Sequence, residues 1–192
     1  MKARALLILF AAAALDSATA AAQVRVTIQT ELGNIEVTVD SVHAPATAAN
    51  FLRYVDAGRY AGGQFHRTVT PTNQESSPVK IEVVQLSAAR GSTERWPPVE
   101  LERTNKTGLK HLDGTVSMAR AGPNTATSDV FICIGDQPEL DFGGKRNPDG
   151  QGFAAFGIVT KGMDVVRRIQ SSPARGQTLD PPIRIVNIVR AR

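Results

Sequence analysis

The chain has 192 residues, 42% of them hydrophobic and 21% charged, with a formal net charge of +4. That length and balance suit one folded domain with a real core and exclude a disordered or fibrous chain. The basic residues are scattered and form no run or stripe, so no nucleic-acid partner is expected.

The first segment reads as a leader. "MKARALLILFAAAALDSATAAA" carries Lys2 and Arg4, then an apolar run from Ala5 to Leu15, then small residues. Positive, apolar, small is the order of a secretory signal peptide. The apolar run is too short for a membrane span and Asp16 follows it, so no stable membrane insertion is expected. Residues 1–22 are therefore read as a signal peptide and residues 23–192 as a single domain. An exported monomer is expected, periplasmic if the cell is Gram-negative.

"VRVTIQTELGNIEVTVD" opens the domain. Val24, Val26 and Ile28 alternate with polar residues, and after a turn placed at Gly33-Asn34 so do Ile35, Val37 and Val39. This is a β-hairpin with one buried face. In "HAPATAANFLRYVDAGRY" the period changes. Ala48, Phe51, Leu52 and Val55 lie on one helical face, with Pro45 in the first turn and Gly58 at the stop.

"QFHRTVT" returns to strand. Strict alternation puts Phe65, Arg67 and Val69 on one face, His66 and Thr68 on the other. After the polar loop Pro71 to Pro78, "VKIEVVQL" sets Ile81, Val83 and Gln85 on one face and Glu82, Val84 and Leu86 on the other. The stretch from Ser87 to Pro98 is irregular. "TVSMA", "DVFICIG" and "GFAAFGIV" read as buried strands, with a long Gly/Pro loop, "QPELDFGGKRNPDGQG", between the last two. "GMDVVRRIQ" suits a short helix and "IRIVNIVRA" a closing strand.

Cys133 is the single cysteine, so no intrachain disulfide is possible; in "VFICIG" it reads as a buried thiol. His43, His66 and His111 are isolated and lack metal-ligand spacing, so no metal is expected. About eight strands and two helices, arranged as hairpins, favour a closed or nearly closed antiparallel barrel capped by helices over a parallel α/β sheet.

Residue order says more. "GQFHRTV", "GTVSMARAGPNTATSDVFIC" and "FAAFGIVTKGMDVVRRI" resemble the cyclophilins, the peptidyl-prolyl cis-trans isomerases, over nearly all of the domain. The exported bacterial branch is the most similar, given the leader. The resemblance implies a mainly β fold: a closed eight-stranded antiparallel β-barrel capped by two α-helices. It implies an isomerase of Xaa-Pro bonds in folding proteins, binding proline-containing segments and needing no cofactor. It makes Arg67 the catalytic arginine, Gln85 its orienting glutamine and Phe131 the floor of the proline pocket. Val83, Leu140 and Phe153 become pocket wall, and Ala119-Arg120-Ala121 the segment that holds the peptide.

Several positions depart from the family pattern. Arg120 replaces a common Asn, and Glu82-Val83 stands for Phe-Met. Glu139 takes the place of an aromatic, and Phe153 that of a His or Tyr. Asp129 replaces a Gln. Lying two residues from Phe131, it is expected to share that face and to form an ion pair with Arg67, which would weaken catalysis. A module that binds proline segments without isomerising them is the alternative these departures keep open.

Overall fold

The computed structural model describes residues 23–89 and 96–191. The expected leader, 1–22, and the middle of the irregular stretch, 90–95, lie outside the described residues.

Two strands, β1 (Gln23–Thr30) and β2 (Gly33–Asp40), pair antiparallel from Gln23↔Asp40 to Thr30↔Gly33. The turn is Glu31-Leu32, two residues before the expected Gly33-Asn34. Thr30 fixes it: its Oγ1 accepts from Leu32 N at 3.1 Å and donates to Gly33 O at 2.7 Å. Val26, Ile28, Ile35, Val37 and Val39 point inward and are buried.

Helix α1 (Pro45–Asp56) lays Ala48, Phe51, Leu52 and Val55 on the barrel, as their spacing requires. Its N-cap, Ala44, offers no side-chain oxygen. Glu102, far along the chain, supplies both: Oε1 accepts from Ala46 N at 3.1 Å and Oε2 from Thr47 N at 2.7 Å. A carboxylate there satisfies two orphan amides and suits the positive end of the helix.

The remaining elements are β3 (Gln64–Val69), β4 (Val83–Ser87), α2 (Thr104–Thr107), β5 (Thr115–Met118), β6 (Val130–Cys133), β7 (Ala154–Lys161), α3 (Met163–Gln170), β8 (Ala174–Arg175) and β9 (Thr178–Arg190). The sheet runs β1-β2-β7-β5-β6-β4-β3-β9, and β9 pairs back onto β1. Eight antiparallel strands thus close a barrel, which removes exposed edges. The fold is the expected one, with a two-residue strand β8 on β9 and the one-turn helix α2 in addition.

Two apolar clusters result. The larger fills the barrel and the contact with its helices, with Phe51, Tyr60, Phe65, Met118 and Phe156 essentially inaccessible. The smaller lies on the outer face and contains Val69, Ile81, Val83, Phe131, Cys133 and Leu140, with Ala119 and Phe153 against it. Burial pushes the Cys133 thiol well above its ordinary pKa, so it stays neutral and unreactive.

One face assignment fails. Phe65 belongs to the inner core, not to the face of Arg67. Phe65 pairs with Leu86 and Arg67 with Gln85, so two steps on β3 match one step on β4. His66 is the extra residue of a β-bulge, and a bulge resets the alternation. The phase after it holds: Arg67 and Val69 face outward with Gln85 and Val83, Thr68 inward with Val84.

Candidate active site

The smaller apolar cluster floors an open cavity of about 250 Å3. Arg67 and Gln85 come to it from adjacent strands, Val83 and Ile81 from β4 and its approach, and Phe131 from β6. Leu140 and Phe153 come from the two ends of the Gly/Pro loop, and Ala119 and Arg120 from the segment after β5. Phe131 is held from two sides. His111 stacks on it with centroids 5.9 Å apart, and Phe153 meets it edge-on at 5.3 Å.

Arg67 is half-buried at the rim. Its Nε and Nη2 both donate to Gln177 Oε1, at 2.9 and 2.6 Å, and Nη1 donates to Gln85 Oε1 at 3.1 Å. Gln177 is itself tethered, its Nε2 donating to Asn73 O at 3.0 Å. The guanidinium is thus clamped by two neutral amides. Burial, and then the positive charge of Arg146, pull its pKa below the usual arginine value. It remains a cation, as guanidinium does throughout the working range.

The expected ion pair between Asp129 and Arg67 does not form. Asp129 precedes β6, so the alternation that carries Phe131 does not extend to it. Its carboxylate accepts from Ser128 Oγ at 3.4 Å, and its charge falls on Tyr60, whose phenol is pushed up by burial first and by Asp129 second. Asp129 does not line the cavity; its backbone oxygen accepts from Ala119 N at 2.9 Å. Glu82 is also turned away, accepting from Gln170 of α3 at 2.9 Å, and Ile81 fills the wall in its place.

In the Ala119-Arg120-Ala121 segment, Ala119 N is bound to Asp129 O, and Ala121 N donates to Thr125 Oγ1 at 3.1 Å. Ala121 is exposed beside the cavity rather than lining it. Arg120 is locked. Its Nε donates to Gly152 O at 2.8 Å, and its two terminal nitrogens meet Asp149 at 2.7 and 2.9 Å. Its guanidinium also lies 5.0 Å from the Phe153 ring centre.

The fork from Arg120, with Gln151 N, holds Asp149 at a pKa of about 2 against an ordinary 3.8. A depressed carboxylate stabilises the fold fully above the unfolded value and loses that contribution as pH falls through the folded one. The drop in stability between pH 3.8 and about 2 should therefore shrink in Asp149→Asn. Denaturant unfolding at stepped pH reads this, and an acid limb identical to wild type would refute it.

Sequence reasoning missed Gln177, Arg146, Asn147, Ile81 and His111 as parts of this site. Gln177 lies 110 positions from Arg67, and Arg146 and Asn147 sit in a loop that carries only turn signals. Among the described residues, no cluster of His, Cys, Asp and Glu is gathered as a metal site, and no helix is long and apolar enough to cross a membrane.

The site is thus an apolar, arginine-rimmed hollow on the outer wall of a closed antiparallel barrel. Residues 25–191 match the family model described as cyclophilin type peptidyl-prolyl cis-trans isomerase/CLD. The chain is 37% identical over 145 residues to peptidyl-prolyl cis-trans isomerase A of Dickeya dadantii, covering 75% of this chain and 70% of the relative. It is 35% identical over 160 residues to a peptidyl-prolyl cis-trans isomerase of Acinetobacter baylyi, covering 83% and 78%. A crystal structure of a Cryptosporidium parvum cyclophilin type isomerase matches with a TM-score of 0.70 at 21% identity, over 88% of this chain and 98% of that one, which shows the fold. The chain belongs to the cyclophilin-type peptidyl-prolyl cis-trans isomerases and is an enzyme of that class.

Proposed function

We propose that this enzyme accelerates rotation about Xaa-Pro bonds in exported proteins as they fold, with Arg67 stabilising the twisted amide. Amide resonance sets a rotation barrier of roughly 18–20 kcal/mol. Uncatalysed Xaa-Pro exchange therefore takes about tens to hundreds of seconds. Twisting the bond breaks the resonance and returns a lone pair to the proline nitrogen. A cationic donor fixed beside that nitrogen stabilises the twisted state more than either planar state, and only such a difference speeds the reaction. No bond is broken, so the chemistry calls for no nucleophile, metal or cofactor.

The observation that carries this reading is the clamp on Arg67. Two neutral amide oxygens fix its orientation without offsetting its charge, beside an apolar hollow floored by Phe131. Val83, Leu140 and Phe153 would seat the proline ring, and the Ala119–Ala121 segment would hold the residues before it. The crystal structure of a Cryptosporidium parvum cyclophilin type isomerase was determined in the presence of the dipeptide Ala-Pro, a proline peptide of the kind proposed here. The apolar run after Lys2 and Arg4 supports export, and a monomer is the proposed working form. Proton NMR exchange on an Ala-Pro peptide tests the activity. Added enzyme should raise the cis-to-trans exchange rate in proportion to its concentration. No change would leave only peptide holding.

A further inference from the structure

We infer that the site prefers proline segments that carry a carboxylate side chain next to the proline, with Arg146 as the residue that reads it. The inference rests on the proposed peptide site and deepens it.

Arg146 lies in the Gly/Pro loop and lines the same cavity as Arg67. Its side-chain hydrogen bonds all use one nitrogen: Nη1 lies 2.8 Å from Gln74 Oε1, 2.7 Å from Ser77 Oγ and 2.6 Å from Val79 O, its two protons shared among the three acceptors. Those three acceptors aim the group. Among the described residues, none accepts from its Nε or Nη2, so one edge of the fork is unused. Lys80 adds a third cation nearby, its amine bonded to the backbone oxygen of the same Gln74.

No carboxylate among the described residues balances these charges at the cavity. Asp149 is taken by Arg120, and Asp141 by His111 and Lys110. Glu82 is bonded to Gln170, and Glu139 Oε2 to Lys145 N. Arg67 and Arg146 are both half-buried, and each is pulled below the usual arginine pKa, Arg67 partly by Arg146. Two partly desolvated cations facing one small cavity repel each other, and a ligand carboxylate on the free edge of Arg146, clear of Arg67, lessens that cost and leaves the Arg67 charge for the twisted amide. An unused guanidinium edge fits a carboxylate with two parallel hydrogen bonds.

The test uses matched peptides with Glu, Gln or Lys immediately before or immediately after the proline. Wild-type enzyme should favour Glu over isosteric Gln by about five- to tenfold in kcat/KM at one of the two positions, and disfavour Lys. The preference should fall with added salt. Arg146→Gln should bring the Glu-to-Gln ratio near one, and Arg146→Lys should keep part of it. A wild-type ratio of one at low salt in both positions overturns the inference. So does a ratio that Arg146→Gln leaves unchanged. Anisotropy titration of labelled peptides reads the same preference as affinity. A preference in affinity with no isomerisation would therefore fail the proposed activity and keep the charge reading.

Discussion

Arg67→Ala is expected to lower kcat/KM on a proline peptide by about 10²–10³-fold, the usual cost of deleting a preorganised transition-state donor. The loss should lie mainly in kcat, because the apolar hollow that seats the ring is left in place. Arg67→Lys should recover little. One ammonium cannot bond Gln85 and Gln177 in the present geometry and also face the substrate, whereas the planar fork does. Gln177→Glu is the sharper probe. It retains the shape of the clamp but sets a carboxylate against the guanidinium. Activity should then fall below that of Gln177→Ala at neutral pH. It should recover only at pH below about 4, where a carboxylate paired with arginine takes up its proton. A structural role for Gln177 would produce no such pH dependence. Arg67→Ala activity within twofold of wild type, with an unchanged melting temperature, would remove the proposed mechanism.

The sequence shows most of the fold and part of the site, and the boundary between the two is physical. The β1–β2 hairpin and α1 are legible because one face of each is buried, and burial writes its period into the residues. Val83, Gln85, Phe131 and Leu140 reach one cavity because regular strands and a long, specific motif carry them there. The failures occur where regularity stops. At His66 a bulge moves Phe65 to the inner core, and no composition signal marks a single extra residue. Asp129 stands one residue outside β6, so extending strand alternation to it gave a false partner for Arg67. The true partner, Gln177, comes from the turn between β8 and β9. Contacts of such long range depend on barrel closure, which local pattern does not encode. With the ion pair gone, the main reason to expect a weak enzyme is gone too.

His111→Ala is expected to be strongly destabilising. His111 is 1% exposed and its imidazole joins three groups. Its Nδ1 lies 2.8 Å from Asp141 Oδ1, its Nε2 lies 2.9 Å from Ser117 Oγ, and its face supports Phe131. A carboxylate only accepts, so Nδ1 carries a proton; in the neutral ring Nε2 then accepts from the Ser117 hydroxyl. Deletion opens a cavity beneath the pocket floor and leaves a largely buried carboxylate short of its main donor. Together these should cost about 3 kcal/mol. For a domain of this size that is a fall in melting temperature of about 6–12 °C. Burial, the largest single influence, works against ionisation of Asp141, but the side-chain and backbone hydrogen bonds from His111 and the neighbouring positive charge together outweigh it and leave the pKa below the ordinary 3.8. Asp141 therefore adds stability above that value and loses it as pH falls through the depressed one. Without the imidazole only the backbone hydrogen bond of residue 111 and Lys110 still favour the carboxylate, so the depression shrinks and the acid unfolding midpoint should move to higher pH. His111→Gln, which retains a donor and an acceptor, should restore part of both. KM should rise several-fold in the alanine variant while kcat changes less, because Phe131 loses its support and Arg67 does not. A melting temperature within two degrees of wild type, or an acid midpoint that does not move, would show that Phe131 and Asp141 are held by something other than this ring.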